Sequence, residues 1–186
     1  RVILGTRARK TRTKSMNAFS SIDYPDVALI RDGRILHYIL QGKPPMPPVF
    51  HDKLDANVFV LRLIPGMNPD VLRPLANRFD ALVIESFGVG GLPCYEQADF
   101  LSAASAWSSA GKPIVITTQV PHEGSDLAVY QVGARVAAQP GILQAYTMTA
   151  EAVVTKLMWI LPQTRDLAQI KRLFYTPIAC DLLLFE

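Results

Sequence analysis

The sequence predicts an α/β fold, a parallel sheet flanked by helices, and three features carry that expectation. Near-continuous apolar, β-branched runs occur at residues 58–64, 81–86 and 113–118, the pattern of strands covered on both faces. Helical patterns separate them, so strand and helix alternate three times, as in a sheet with right-handed crossovers and helices on both sides. Hydrophobic residues make up 49% of the chain and charged residues 19%, which is ample for a core and unlike a disordered chain.

In chain order, Val2-Ile3-Leu4 reads as the end of a buried strand, and a chain opening inside a strand is expected to continue one upstream. A basic, solvated loop follows, holding Arg7, Arg9, Lys10, Arg12 and Lys14 with no acid among them. Residues 28–38 place two short apolar runs around Asp32-Gly33, a hairpin signal because Gly takes positive φ without cost. Pro44-Pro45-Met46-Pro47-Pro48 can be neither helix nor central strand and predicts a stiff extended linker. The expected organisation is therefore residues 1–38, a linker at 39–56 and a regular α/β domain at 57–186.

Within that domain, Asn68-Pro69-Asp70 reads as N-cap, N1 proline and first-turn acid of a helix reaching about residue 76, shortened by Pro74. Helices are expected at 95–109, ended by Gly111, at 127–137, at 149–161 with Thr149 as cap and Glu151 near its positive end, and at 165–175.

Composition excludes several classes. No apolar run approaches the ~20 residues that span a bilayer, and no apolar segment follows the basic N-terminus as in a signal peptide, so no membrane partner is expected. Cys94 and Cys180 lack metal-ligand spacing and fit a reducing compartment. The basic run in a chain of net charge +3 lacks interleaved aromatics, with only Phe19 and Tyr24 nearby, so nucleic acid is not expected.

In open α/β sheets ligands gather at the carboxyl ends of the strands, which points to loops 65–68, 87–93 and 119–126. The second fails as a dinucleotide loop because Pro93 stands where a Gly-x-Gly-x-x-Gly pattern needs its last glycine; it reads as a tight turn for close chain approach. The third holds His122, Glu123 and Asp126, with His37 and His51 in other contexts, so no metal site is expected. No Gly-x-Ser-x-Gly elbow is present. Lys156, on an apolar helix, reads as structural or snorkelling.

Several motifs occur in order: Gly5-x-Arg7-x-x-Lys10 with Ala18-Phe19-Ser20-Ser21; Gly88-Val89-Gly90; Thr118-Gln119; Asp126-Leu127-x-x-Tyr130-x-x-Gly133; and Met148-Thr149-x-Glu151-Ala152 with Thr155-Lys156-Leu157. Together they resemble bacterial L-asparaginases of the cytoplasmic type I kind. The resemblance implies two α/β domains, with residues 1–38 as the tail of an N-terminal domain carrying the catalytic-lysine loop and residues 57–186 as the C-terminal domain. It implies hydrolysis of L-asparagine to L-aspartate and ammonia through a threonine acyl-enzyme, with no cofactor, in the cytoplasm, by a homodimer or homotetramer.

The family's catalytic lysine, which serves a second threonine by holding its hydroxyl and helping move a proton, matches Lys10, with Arg7 and Arg9 expected to crowd it with positive charge; the alternative for Lys10 is a plain solvated lysine. The nucleophilic threonines are expected upstream of Arg1. In the family's periplasmic branch an Asn and a Glu reach the neighbouring subunit's active site. Glu123 and Asp126 lie in the corresponding loop as substrate-binding candidates, and no Asn follows Leu61-Arg62-Leu63. Arg9, Glu85 and Val120 replace the Thr, Arg and Cys of members regulated by asparagine, which implies that this regulation is absent. Two other readings stay open: the glutaminase-type subunit of a tRNA-dependent amidotransferase, and a non-catalytic dimerisation or binding module.

Overall fold

A computed structural model describes residues 1–40, 42, 47–95, 98–129, 139 and 141–183. Its central element is a four-stranded sheet made of β5 (Val58–Arg62), β6 (Ala81–Ser86), β9 (Ile114–Thr118) and β10 (Ile142–Gln144), in the order β10-β9-β6-β5. All three pairings are parallel. The expected α/β architecture is thus present, and every residue of β6 and β9 is buried.

The pleat divides the core into two layers. On one face Ala81 and Val83 of β6, Val115 and Leu143 pack against α3 (Ala150–Ile160) and α4 (Leu167–Phe174) through Val153, Leu157, Ile160, Ile170 and Phe174. On the other, Leu82, Ile84, Ile114 and Ile116 pack against α1 (Leu72–Ala76) and α2 (Phe100–Ser109) through Leu72, Phe100, Ala104 and Trp107. Side chains alternate across a strand, so a continuous apolar run serves both layers.

Local signals explain the element ends. Asn68 accepts from the Asp70 N–H, and Pro69 opens a single 3-10 turn before α1, which stops at Ala76. Thr149 caps α3 by accepting from the Ala152 N–H, and Asp166 caps α4 through the Gln169 N–H. The Asp32-Gly33 hairpin forms between β3 (Ala28–Arg31) and β4 (Arg34–His37), with φ of 49° and 72° at its two turn residues, the left-handed pair that a two-residue turn demands.

The structure corrects several expectations. Residues 2–4 are half-buried and contribute only a lone bridge, Val2 to Ala28, because this segment meets just the first residue of β3 in the two-stranded hairpin rather than the interior of the main sheet. The run at 58–64 is an edge strand ending at Arg62; Val60 is 40% exposed and Ile64 57%, since one side of an edge has no neighbour. The helix expected from 95 starts at Phe100, where Asp99 accepts from the Leu101 and Ser102 N–H groups. Ahead of it, β7 (Cys94–Tyr95) pairs with β8 (Ala98–Asp99). The strand β10 was not foreseen, being three residues long. Of the helix expected at 127–137, a 3-10 turn at Leu127–Val129 is seen; the rest, with Tyr130 and Gly133, lies outside the described residues, as does most of the proline run.

The remaining pair, β1 (Ala8–Lys10) and β2 (Phe19–Ser21), is an antiparallel hairpin. It lies across the carboxyl ends of the sheet strands, as the contacts of Arg7, Arg9 and Asp23 described below require.

Two measurements test this architecture. Leu157→Ala removes a fully buried side chain from the α3 layer and is expected to cost about 2–5 kcal/mol in urea unfolding, whereas Val60→Thr on the open edge is expected to stay within about 0.5 kcal/mol; equal losses would contradict the edge position of β5. Burial pushes the Tyr175 hydroxyl above its ordinary value while that oxygen accepts from the Gln144 N–H at 2.9 Å. An unfolded tyrosine ionises first, so this contribution is complete below about pH 10 and is lost as pH rises further. Alkaline unfolding curves are expected to be steeper for the parent than for Tyr175→Phe.

Candidate functional site

The loops after β6, β9 and β10 lock together into a rim. After β6, the Gly90 and Gly91 N–H groups both donate to the Phe87 carbonyl, making the tight turn expected there. Gly90 has φ of 138°, and a Cβ on it would sit 2.8 Å from Leu127 Cδ2. The Asp126 N–H donates to the Val89 carbonyl at 2.6 Å, which straps the β9 loop onto this turn. Gly124 has φ of 68° and passes so close to the β10 loop that a Cβ would lie 2.4 Å from the Tyr146 carbonyl oxygen. The Ser125 N–H donates to that same carbonyl at 2.8 Å. Buried Gln144 joins the rim from beneath: its Nε2 donates to the Ser125 carbonyl at 2.6 Å and its Oε1 accepts from the Leu127 N–H at 3.3 Å.

The two carboxylates singled out in the β9 loop are both exposed. Glu123 has φ of 74°, and its carboxylate has no hydrogen-bond or ion-pair partner among the described residues. Asp126 accepts from the Ala128 N–H at 2.9 Å, capping the Leu127–Val129 turn, so one oxygen already has a structural task. The loop is tied to the β1–β2 hairpin through Asp23, whose two oxygens meet His122 Nδ1 and the Glu123 N–H, each at 3.0 Å. Asp23 itself has φ of 49°.

Lys10 ends β1 opposite Phe19 and is exposed. Alternation along β1 puts Arg9 on the opposite face from Lys10, while Arg7 ends the 3-10 turn Gly5–Arg7 just before the strand. The Arg7 and Arg9 side chains turn toward the sheet, and the expectation of a basic, solvated loop is corrected here: Arg7 has no exposed surface. Its Nε donates to the Cys180 carbonyl at 2.6 Å and its Nη1 to the Thr147 carbonyl at 2.7 Å, with the Thr147 hydroxyl at 3.4 Å from Nη2. Burial pushes the guanidinium below its ordinary value, an effect opposed chiefly by Asp181 and then by Asp23. Arg9 lies 3.9 Å from Glu85 and 3.7 Å from Glu151. Neither arginine therefore crowds Lys10 with charge as their sequence proximity implied.

Lys156 is structural, though it does not snorkel. Its ammonium is buried and donates to Asp181 Oδ2 and to the Thr176 carbonyl, each at 2.7 Å. Asp181 also accepts from the Ile178 N–H at 2.8 Å, so the pair fixes the turn at 176–181. A cavity of about 560 Å³ opens beside this pair, lined by Trp159, Glu151 and His51 among others; Lys156 and Asp181 satisfy one another there, and Glu151 lies 3.7 Å from Arg9. Sequence reading missed Arg7 as an anchor, Asp23 and the Lys156–Asp181 pair, because each depends on a partner 99 or more, or 25, residues away. Among the described residues, no group of three or more His, Cys, Asp or Glu is placed to hold a metal, and no helix is long and apolar enough to cross a membrane. Cys180 is a free thiol.

The family described as "Glutaminase/Asparaginase C-terminal domain" matches residues 57–174. The chain belongs to that family. An L-asparaginase of Thermococcus kodakarensis is 40% identical over 185 residues, covering 98% of this chain and 55% of that protein. The structure of the thermostable L-asparaginase from Thermococcus kodakarensis superposes with a TM-score of 0.91 at 39% identity, again over 98% of this chain and 55% of the other. A component of the glutamyl-tRNA(Gln) amidotransferase of Pyrococcus furiosus is 28% identical over 96% of this chain and 40% of its own length. L-asparaginase I from Vibrio cholerae, at 23% identity and a TM-score of 0.81, shares the fold. The chain thus spans about half the length of the asparaginases it matches.

The rim's close approaches can be tested at Gly124. Gly124→Ala adds a left-handed side chain and a clash with backbone, and is expected to destabilise by about 2–4 kcal/mol. Thermal unfolding within a degree of the parent would show that the loops are not packed this closely.

Proposed function

We propose that the whole protein is an L-asparaginase of the cytoplasmic type I kind, hydrolysing L-asparagine to L-aspartate and ammonia through a threonine acyl-enzyme. The observation that carries this reading is the 40% identity to an L-asparaginase over 98% of this chain, with the Lys10 motif inside the matched stretch. We place the nucleophilic threonine in the part of the protein that would correspond to the stretch of the matched L-asparaginase this chain does not cover, so the proposed activity is that of the whole protein. Residues 1–38 belong with that part, and residues 57–186 form the C-terminal domain.

In this reading Lys10 is catalytic. Its exposed ammonium, free of protein partners among the described residues, stands beside the second threonine, holds that hydroxyl by a charge-assisted hydrogen bond and helps move its proton. Glu123 and Asp126, on the rigid rim, border the substrate pocket of a neighbouring subunit in a homodimer or homotetramer. Glu123 suits the substrate's ammonium better, since its carboxylate is uncommitted while Asp126 caps a turn. Arg9 and Glu85, which stand where the resemblance has a Thr and an Arg in regulated members, lie 3.9 Å apart as an ion pair, which supports the reading of an unregulated enzyme. No cofactor is needed for this chemistry, and the reaction is placed in the cytoplasm.

The second reading is a glutaminase-type amidotransferase component, supported by the 28% identity to the glutamyl-tRNA(Gln) amidotransferase chain; the higher identity favours the asparaginase. Ammonia release by the full-length protein from asparagine and from glutamine separates them. Asparagine is expected to be turned over by the protein alone, with Lys10→Met lowering kcat about 10²–10⁴-fold and leaving the unfolding midpoint near that of the parent. Turnover of glutamine only, or near-normal kcat in Lys10→Met, would contradict the assignment.

A further inference from the structure

Lys10 is not held by its own side chain: among the described residues its ammonium has no hydrogen bond or ion pair. Its position is set by the backbone that carries it, and three observations show what sets that backbone. The first is Arg7, three residues earlier, the one charged side chain among the described residues with 0% exposure. Its guanidinium reaches two separate loops, the Thr147 carbonyl after β10 and the Cys180 carbonyl in the turn beyond α4.

The second is the receptor itself. Ala179 and Cys180 have φ of 48° and 57°, a conformation that residues with side chains adopt rarely. In it, the Ala179 carbonyl accepts from the Thr6 hydroxyl and the Cys180 carbonyl from Arg7 Nε, each at 2.6 Å. The buried Lys156–Asp181 pair holds this turn in place. The third is the link to the hairpin: the Arg7 carbonyl accepts from the Ile22 N–H at 2.9 Å, so the anchored residue begins the ladder that continues through Arg9–Ser20 to Lys10–Phe19.

We propose that Arg7 is a positioning residue: its buried guanidinium, seated on the Thr147 and Cys180 carbonyls, sets where the Lys10 ammonium stands. The role rests on the reading of Lys10 as catalytic. Arg7 touches no reacting atom. It fixes the origin and tilt of the short hairpin, and a small rotation there displaces a long side chain at the far end.

Steady-state kinetics on the full-length protein test this with Arg7→Met, Lys10→Met and the double variant. Arg7→Met is expected to lower kcat about 10²-fold, the effect of a misplaced catalytic group, with KM within about twofold. The double variant is expected to be no slower than Lys10→Met alone, because displacing an ammonium already removed changes nothing. Arg7→Lys, which keeps the charge and one donor direction, should lie between parent and Arg7→Met, and it replaces Arg7→Met in the cycle if the latter does not fold. A kcat within about twofold of parent in Arg7→Met, or a double variant slowed by the product of the two single effects, overturns the proposal. If the parent itself releases no ammonia from asparagine or glutamine, the functional reading falls and the positioning role falls with it.

Discussion

Burying the Arg7 guanidinium is the constraint on which the arrangement of this chain depends. Taking such a group out of water costs several kcal/mol after relaxation, and the cost is offset only where carbonyls wait at the right distances. Those carbonyls come from Thr147 and Cys180, on two segments that the Leu183 N–H also links by donating to the Thr147 hydroxyl at 3.3 Å. The Thr149 hydroxyl adds a bond to the Thr6 carbonyl while capping α3. The cation thereby fastens the N-terminal hairpin to the loop after β10 and the turn after α4, and the Thr6–Thr149 bond ties it to the start of α3.

A second buried charge supports the first. Lys156 and Asp181 are each almost wholly enclosed and satisfy one another and two backbone groups. Removing either partner would leave an uncompensated charge, which costs more than the intact pair contributes. The pair lies beneath the turn that presents its carbonyls to Thr6 and Arg7. Polar order is therefore passed from the middle of a core helix to the exposed strand that bears Lys10. The rim of loops at Gly90, Gly124 and Gln144 does the same for Glu123 and Asp126, with backbone close approach in place of charge.

Much of the fold was legible in the sequence because it rests on local pattern. Residues 81–86 and 114–118 read as strands since their apolar runs are long enough to serve two core layers. Asn68, Thr149 and the Asp32-Gly33 turn were visible because caps and turns are decided within three or four residues. Failures followed the same logic. The edge position of β5 depends on what does not pair beside it, and β10 is too short to carry a period. The start of α2 was displaced by a small hairpin whose existence is settled by pairing.

The sequence by itself determined the fold class and the family motifs, and it singled out Lys10, Glu123 and Asp126 as the candidates proposed for the site. Only the tertiary structure decided how they are held. In the linear chain Arg7, Arg9 and Lys10 are three like charges in one polar stretch. In the fold, the Thr147 and Cys180 carbonyls draw Arg7 inward, alternation along β1 turns Arg9 toward Glu85 and Glu151, and Lys10 is left outside. That division follows from contacts between residues more than a hundred positions apart, for which local composition carries no signal.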